Sequence, residues 1–386
     1  MHRLPTFMIG AATLIAIACA NSSSQTDDHY FVSEAIRVGK SPNSVESADF
    51  NHDGFPDLAI ANGEDSSVTI LLNNGKGEFF PAPGSPFFSN RDPNDIAIAD
   101  FNKDGNADIA IANTEIAELT LLLGNGKGQF GQAPHSPYKV YARPHTHGIA
   151  VADFNGDGHL DMATDDWGEN KVSIIFGDSS LNFGNQTFYP VGNRPYQRLR
   201  TADVNQDGKP DLITTNLESN NSTVLLGQGD GSFKEAPGSP FPCGDAPFAV
   251  AIGDLNGDGH PDLAIADAPT ITSESKGRDG LCVLLGDGAG HFRALKGSPF
   301  ATGKSPSRVA IGDLNGDGIN DVAVTNYNDR TITIFYLDKT GVANIKTVPV
   351  GNHPDGICID DFNKDGKNDL AVTNQADGTL MILLNK

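Results

Sequence analysis

Basic residues are scarce in this chain: 27 Lys and Arg stand against 49 Asp and Glu in 386 residues, a formal net charge of −22. Nowhere do Lys and Arg cluster, and a phosphate backbone demands grouped cations, so nucleic acid is excluded as a partner. A sustained helical period is also missing beyond the leader, which excludes a helical fold. Long apolar runs are absent too. The one run of note, Thr6 to Ala18, is about thirteen residues, short of a comfortable bilayer span, and no transmembrane helix is expected. Tryptophan occurs once, and cysteine four times.

The first residues have the layout of a targeting segment. Arg3 makes a short basic start, the apolar run follows, and Ala16-Ile17-Ala18 is a small-x-small cleavage pattern. Residues 1–19 are therefore expected to be a signal peptide and residues 20–29 a polar tether. Cys19 comes next, and Ala16-Ile17-Ala18-Cys19 resembles a bacterial lipobox, with Ala16 where Leu, Val or Ile is usual. Free secretion and a lipid anchor at Cys19 both stay open. Either way the protein is expected to be exported, to an extracellular, periplasmic or envelope-anchored location. Export permits disulfides. Cys243 and Cys282 fall within one repeat, so a bridge and a pair of buried thiols are both compatible with the spacing. Cys358, between Ile357 and Ile359, reads as a small core residue.

What the chain has in quantity is glycine, 43 residues, and aspartate at fixed spacing. The nine-residue motif Asp-x-Asn-x-Asp-Gly-x-x-Asp occurs seven times, starting at Asp49, Asp100, Asp153, Asp203, Asp254, Asp313 and Asp361. Around each copy the pattern repeats. A short apolar segment precedes the motif, as in Ile96-Ala97-Ile98-Ala99, and another follows, as in Leu58-Ala59-Ile60-Ala61. After a polar loop comes a third, such as Thr120-Leu121-Leu122-Leu123, closed by a Gly-Asn-Gly turn. A weaker fourth begins at an aromatic such as Phe130, Phe233 or Phe292. Short runs flanked by Gly, Asn and Asp are strands. Four antiparallel strands in about 50 residues, repeated seven times, predict an all-β, seven-bladed β-propeller spanning residues 30–386. The last repeat stops after its third strand, Thr379 to Leu384, while Tyr30 to Val38 resembles a fourth strand with no blade of its own. Joined, they close the ring and leave no open edge, as a solenoid would. The strands just before each motif are expected innermost, since the residues preceding the first Asp are small (Ala48, Ala99, Ala152, Ala202, Gly253, Gly312). Asp360 is the exception.

The motif is oxygen-rich in the way calcium requires, with six to eight ligands from carboxylates, amides, a backbone carbonyl and water. Positions 1, 3 and 5 supply side-chain oxygens, Gly at position 6 permits the sharp turn, position 7 offers its carbonyl and position 9 returns a carboxylate. The candidate ligands are Asp49, Asn51, Asp53, Phe55 and Asp57 in the first repeat, and Asp100, Asn102, Asp104, Asn106 and Asp108 in the second. The third and fourth hold Asp153, Asn155, Asp157, His159 and Asp161, then Asp203, Asn205, Asp207, Lys209 and Asp211. The fifth has Asp254, Asn256, Asp258, His260 and Asp262, the sixth Asp313, Asn315, Asp317, Ile319 and Asp321, and the last Asp361, Asn363, Asp365, Lys367 and Asp369. Varied side chains at position 7 suit a backbone ligand. An EF-hand is excluded, because its acidic twelfth position is occupied here by Ile60, Ile111, Thr164, Thr214, Ile265, Val324 and Val372. A metal-free Asx-turn hairpin is the alternative, but three carboxylates within nine residues would repel one another if empty. Seven structural Ca²⁺ would add +14 to −22, leaving about −8.

These repeats resemble the FG-GAP or VCBS type, similar to the calcium-binding blades of integrin α-subunit propellers and of certain fungal lectin propellers. The resemblance implies extracellular adhesion or ligand binding, and some related propellers are polysaccharide lyases; the protein is expected to be a monomer. It fixes no ligand, because function lives in the loops.

Five repeats share a Pro seven residues before the motif (Pro42, Pro93, Pro247, Pro306, Pro354), whereas the third and fourth have longer lead-ins. Those carry Arg143, His145 and His147, then Tyr196 and Arg198, and the loop Asp165-Asp166-Trp167-Gly168 holds the single Trp. On one rim these residues suit a glycan, with Trp stacking on a sugar ring and Arg reading a carboxylate. Two further readings stand beside a binding or scaffold protein with a glycan or protein ligand. One is a lyase-like enzyme using His145 or His147 as base and Arg198 against a uronate; the other is a lectin with a site in every blade. No nucleophile–base pair or carboxylate dyad stands outside the metal loops, which weighs against catalysis. Trp167 is unmatched in other blades, which weighs against a repeated lectin.

Overall fold

The structure, a computed structural model, describes residues 30–141, 145–196, 198–269 and 277–386. The leader, Cys19, the tether and Arg143 lie outside the described residues. Each repeat folds into one antiparallel sheet, and seven such sheets are present. In the first blade the inner strand Pro42–Ala48 pairs with Asp57–Asn62, which pairs with Ser67–Asn73 and then with an outer strand at Phe79–Pro81. The second strand of every blade is buried along its whole length. Neighbouring blades cover both of its faces, which is why Leu58-Ala59-Ile60-Ala61 within it reads as a continuous apolar run instead of alternating. The core accordingly lies between blades: Val45, Leu58, Ile60 and Leu71 of the first pack on Cys358, Ala371, Leu380 and Ile382 of the last.

The outer strand explains the weak fourth signal. In blades one, two, four and five it is cut in two by a cis Ser-Pro step at Ser85-Pro86, Ser136-Pro137, Ser239-Pro240 and Ser298-Pro299. Each of these serines accepts a hydrogen bond through Oγ from a third-strand amide, at Ile70, Leu121, Val224 and Val283 (2.9–3.1 Å). Blades three and six keep continuous outer strands, Asn185–Pro190 and Gly341–Pro349. The ring closes as expected: Tyr30–Val32 pairs with Thr379–Asn385, Tyr30 opposite Asn385, and Ile36–Arg37 extends the pairing. Tyr30 is fully buried.

The seven inner strands line the axis. Asp360, out of place among Ala and Gly at its level, accepts a hydrogen bond from Ser47 Oγ at 2.8 Å, joining the last blade to the first. Cys243 and Cys282 form a disulfide with their Cα atoms 5.9 Å apart, and Cys358 is a buried free thiol. No helix among the described residues is long and apolar enough to cross a membrane.

Candidate functional site

The seven Asp-rich loops all connect inner to second strands and so share one face. In the first, positive φ at His52 (60°) and Gly54 (82°) curls the chain around Asp49. The Asp49 carboxylate accepts hydrogen bonds from the amides of Asp53 (3.2 Å) and Gly54 (2.8 Å), and Asp53 in turn accepts from Phe55 (2.9 Å). Position 9 behaves differently. Asp57 is fully buried, and its two oxygens accept from the amides of Phe50 (3.0 Å) and Asn73 (2.8 Å), tying the loop to the end of the third strand. Every blade repeats this pair of bonds, at Asp108, Asp161, Asp211, Asp262, Asp321 and Asp369. Burial, against the pull of those amides, pushes Asp57 up to about 7, with Asp53 and Asp49 adding like-charge repulsion. The six counterparts rise to about 6 for the same reasons. A loop of hard oxygen donors with a desolvated carboxylate at its base has the chemistry to take a divalent calcium ion, which positions 1, 3, 5, 7 and 9 would hold.

On the opposite face the structure gathers four of the six rim candidates. His147 is buried, with Nδ1 3.1 Å from Asp165 Oδ2. The other oxygen of Asp165 accepts from the amides of His147 (2.9 Å) and Gly148 (2.6 Å), so this carboxylate fixes both ring and backbone. Tyr196 packs on the His147 ring (centroids 4.3 Å apart), His145 lies 5.8 Å from both His147 and Trp167, and the Arg194 guanidinium sits 4.7 Å over the indole. Arg194 also pairs with Glu218 at 2.8 Å. Tyr196 rests on Phe248 from blade five.

Arg198 departs from the expected rim. Its side chain is 4% exposed and turned to the axis, 3.2 Å from Glu46 and 3.3 Å from Ser44 Oγ. The lead-in that lengthens blade four delivers it to the inner strand, where opposite charge is waiting.

With this geometry in view, the repeats match a family model. Residues 49–111, 100–164, 203–265 and 313–372 match the model described as FG-GAP-like repeat. The chain belongs to that family.

No curated protein matches the sequence. Among solved structures, the FG-GAP-like chain is similar to a streptogramin B lyase, 13% identical, over 93% of this chain and 99% of the other, TM-score 0.60. A periplasmic gluconolactonase of Pseudomonas aeruginosa is 16% identical over 85% and 98%, TM-score 0.58. A lectin of Agrocybe aegerita, described as recognising non-reducing terminal N-acetylglucosamine, is 19% identical over 87% and 86%, TM-score 0.52. At these identities the likeness is one of fold.

Sequence reasoning missed the axial charges of this FG-GAP propeller. Asp95, Arg198 and Arg308 stand five residues before their motifs, where other blades carry Ser44, Gly148, Ala249 and Gly356. Glu46 and Arg200 stand three before, where the rest carry Ala97, Ala150, Ala251, Ala310 and Cys358. Positions two apart share a face of a strand, so the five charges form two adjacent layers. Arg200 meets Asp95 at 3.2 Å, and Arg308, wholly buried, lies 3.9 Å from Asp355. Aligning the seven inner strands on their motifs exposes this signal: charge at positions that are otherwise small.

Proposed function

We propose that this exported FG-GAP propeller is a calcium-pinned binding protein whose ligand, a glycan, docks on the rim of blades three and four. The observation that carries the reading is asymmetry. The loop face is the same seven times over, as a scaffold device would be, whereas the opposite face breaks the repeat where His145, His147, Trp167, Arg194 and Tyr196 assemble. Aromatic rings beside a partly exposed guanidinium are the chemistry that takes up sugar faces and acidic sugar substituents. Calcium, when bound, supplies only positive charge and coordination to the loops; it forms no part of the ligand site.

A second reading has one observation in its favour. Asp165 on His147 Nδ1 orients that imidazole as a base would be oriented, which is compatible with a polysaccharide lyase. Arg194, with its side chain 45% exposed, would then take the place of the buried Arg198 in meeting a uronate. A glycan array on the calcium-loaded protein, followed by an assay for unsaturated products from pectin-like polymers, separates the two. Binding without turnover, lost in Trp167→Ala, supports the binding protein. Unsaturated uronate absorbance that disappears in His147→Ala supports the enzyme. An array with no hits and no products removes the rim site altogether.

A further inference from the structure

The second strand of each blade ends, remote from the Asp-rich loop, in a buried polar residue, and blade five has rebuilt what surrounds it. Five blades end this strand in Asn (Asn62, Asn113, Asn216, Asn326, Asn374) and blade three in Asp166. Two residues beyond its partner on the third strand stands a hydroxyl, such as Thr69, Thr223 or Thr333, with Met381 in the last blade the exception. The Asn side chain donates to that hydroxyl at 2.9 Å in blades one, four and six. Its oxygen accepts from a glycine amide in blades one, six and seven (2.9–3.1 Å). Blade five changes three of these positions together. Asp267 replaces the Asn and Cys282 the Thr. Cys243 precedes the matching glycine, Gly244, where other blades have Val38, Val191, Thr302 and Val350.

All three new side chains are buried, and their sulfur and oxygen atoms converge within 4.8 Å of one another. Cys243 Sγ lies 4.0 Å from Asp267 Oδ1. A permanent bridge explains the two sulfurs but leaves the acid unexplained. Asp267 is fully buried, and its Oδ2 has no hydrogen-bond partner among the described residues, where an Asn in the other blades finds several. A buried carboxyl without a partner is unfavourable unless something else occupies it. Two thiolates and a carboxylate are a donor set for zinc, which takes sulfur at about 2.3 Å and oxygen at about 2.0 Å in tetrahedral geometry. Those bonds place donor atoms about 3.3–3.8 Å apart, within the spread seen here. We propose that the Cys243–Cys282 bridge is reversible, and that its reduced form holds one zinc ion on Cys243, Cys282 and Asp267, with water as the fourth ligand. A dithiol passes two electrons and two protons to the bridge and leaves as its own disulfide. Zinc then displaces the two thiol protons and the proton of Asp267. Reoxidation withdraws two electrons from the thiolates, re-forms the S–S bond and frees the ion. Burial, and then repulsion from Asp245, keep the Asp267 acid protonated in the bridged form, so that form carries no stranded charge.

The experiment uses the full protein in excess calcium, which keeps other ions from the Asp-rich loops. It is treated with dithiothreitol, freed of reductant by anaerobic gel filtration and titrated with Co²⁺, whose bonds to thiolate absorb in the near ultraviolet. One equivalent of Co²⁺ should produce that absorption, zinc should bleach it, and the untreated, bridged protein should show none; this comparison needs no variant. Cys243→Ser should abolish the band. Asp267→Asn keeps both sulfurs and should weaken zinc at least about tenfold, since even the loss of an outer-shell partner costs that much. Oxidised glutathione added to the zinc-loaded protein should release the ion to a chromogenic chelator. A bridge that dithiothreitol opens only as the propeller unfolds, a reduced protein without the cobalt–thiolate band, or unchanged zinc affinity in Asp267→Asn would each overturn the assignment.

Discussion

At the scale of single residues, one motif holds two kinds of aspartate. Those at positions 1 and 5 are exposed or half-buried and fold the loop on itself, whereas position 9 is buried and anchors two amides, one at position 2 of its own motif and one at the end of the third strand. Truncating position 9 strands two buried donors, each worth about 1–3 kcal/mol. Asp108→Ala is therefore expected to lower the thermal midpoint even in chelator, while Asp104→Ala should do so only in calcium; equal losses in both conditions would contradict the division. Sequence spacing shows where the oxygen donors of each loop stand but not this anchor, because one of the two amides it holds lies 16 residues on, or 24 in blade five. Asp267 sets a pH dependence of its own. Burial, and then repulsion from Asp245, hold its acid well above the usual carboxylate range, and its Oδ2 has no hydrogen-bond partner among the described residues. The folded protein keeps this proton while the unfolded chain releases it, so stability falls as pH rises above the ordinary carboxylate value. Asp267→Asn should raise the melting temperature at pH 8 and leave it nearly unchanged at pH 4, as calorimetry at the two pH values would reveal.

At the scale of elements, the strands and their order were legible because each blade states its apolar runs and turns in the same sequence. Two things were not. The Ser-Pro steps that divide the outer strands look like ordinary loop residues, and only pairing exposes the serine hydroxyls as acceptors for third-strand amides. Arg198 looked like a rim residue because its neighbours in sequence are; the change of direction after Tyr196 depends on charges from blades one and two that no local pattern contains. The closing strand is the element with the largest consequence. Deleting residues 30–38 would bare the edge of Thr379–Asn385 and uncover the core around Tyr30's position. The truncated protein should melt at lower temperature and self-associate on size-exclusion chromatography, whereas a monomer of unchanged stability would mean that closure contributes little.

At the scale of the whole molecule, acidity and metal are one subject. A chain at −22 with three or more carboxylates in each of seven loops repels itself on one face. If calcium fills those loops in the folded state alone, each filled site adds about 1.4 kcal/mol per tenfold rise in free calcium above its dissociation constant. The melting temperature should then climb steeply with the logarithm of calcium concentration, and removing one loop by substitution at position 1 should flatten the slope by roughly one seventh. A melting temperature indifferent to calcium would leave the loops as metal-free turns. The register of Tyr30 against Asn385 has a last implication. Both ends of the described fold emerge side by side on one blade, so a short linker could splice them and new ends could be cut in a loop elsewhere, for instance at Gly184. Such a circular permutant should reach the same disc, since the circle has no privileged starting point.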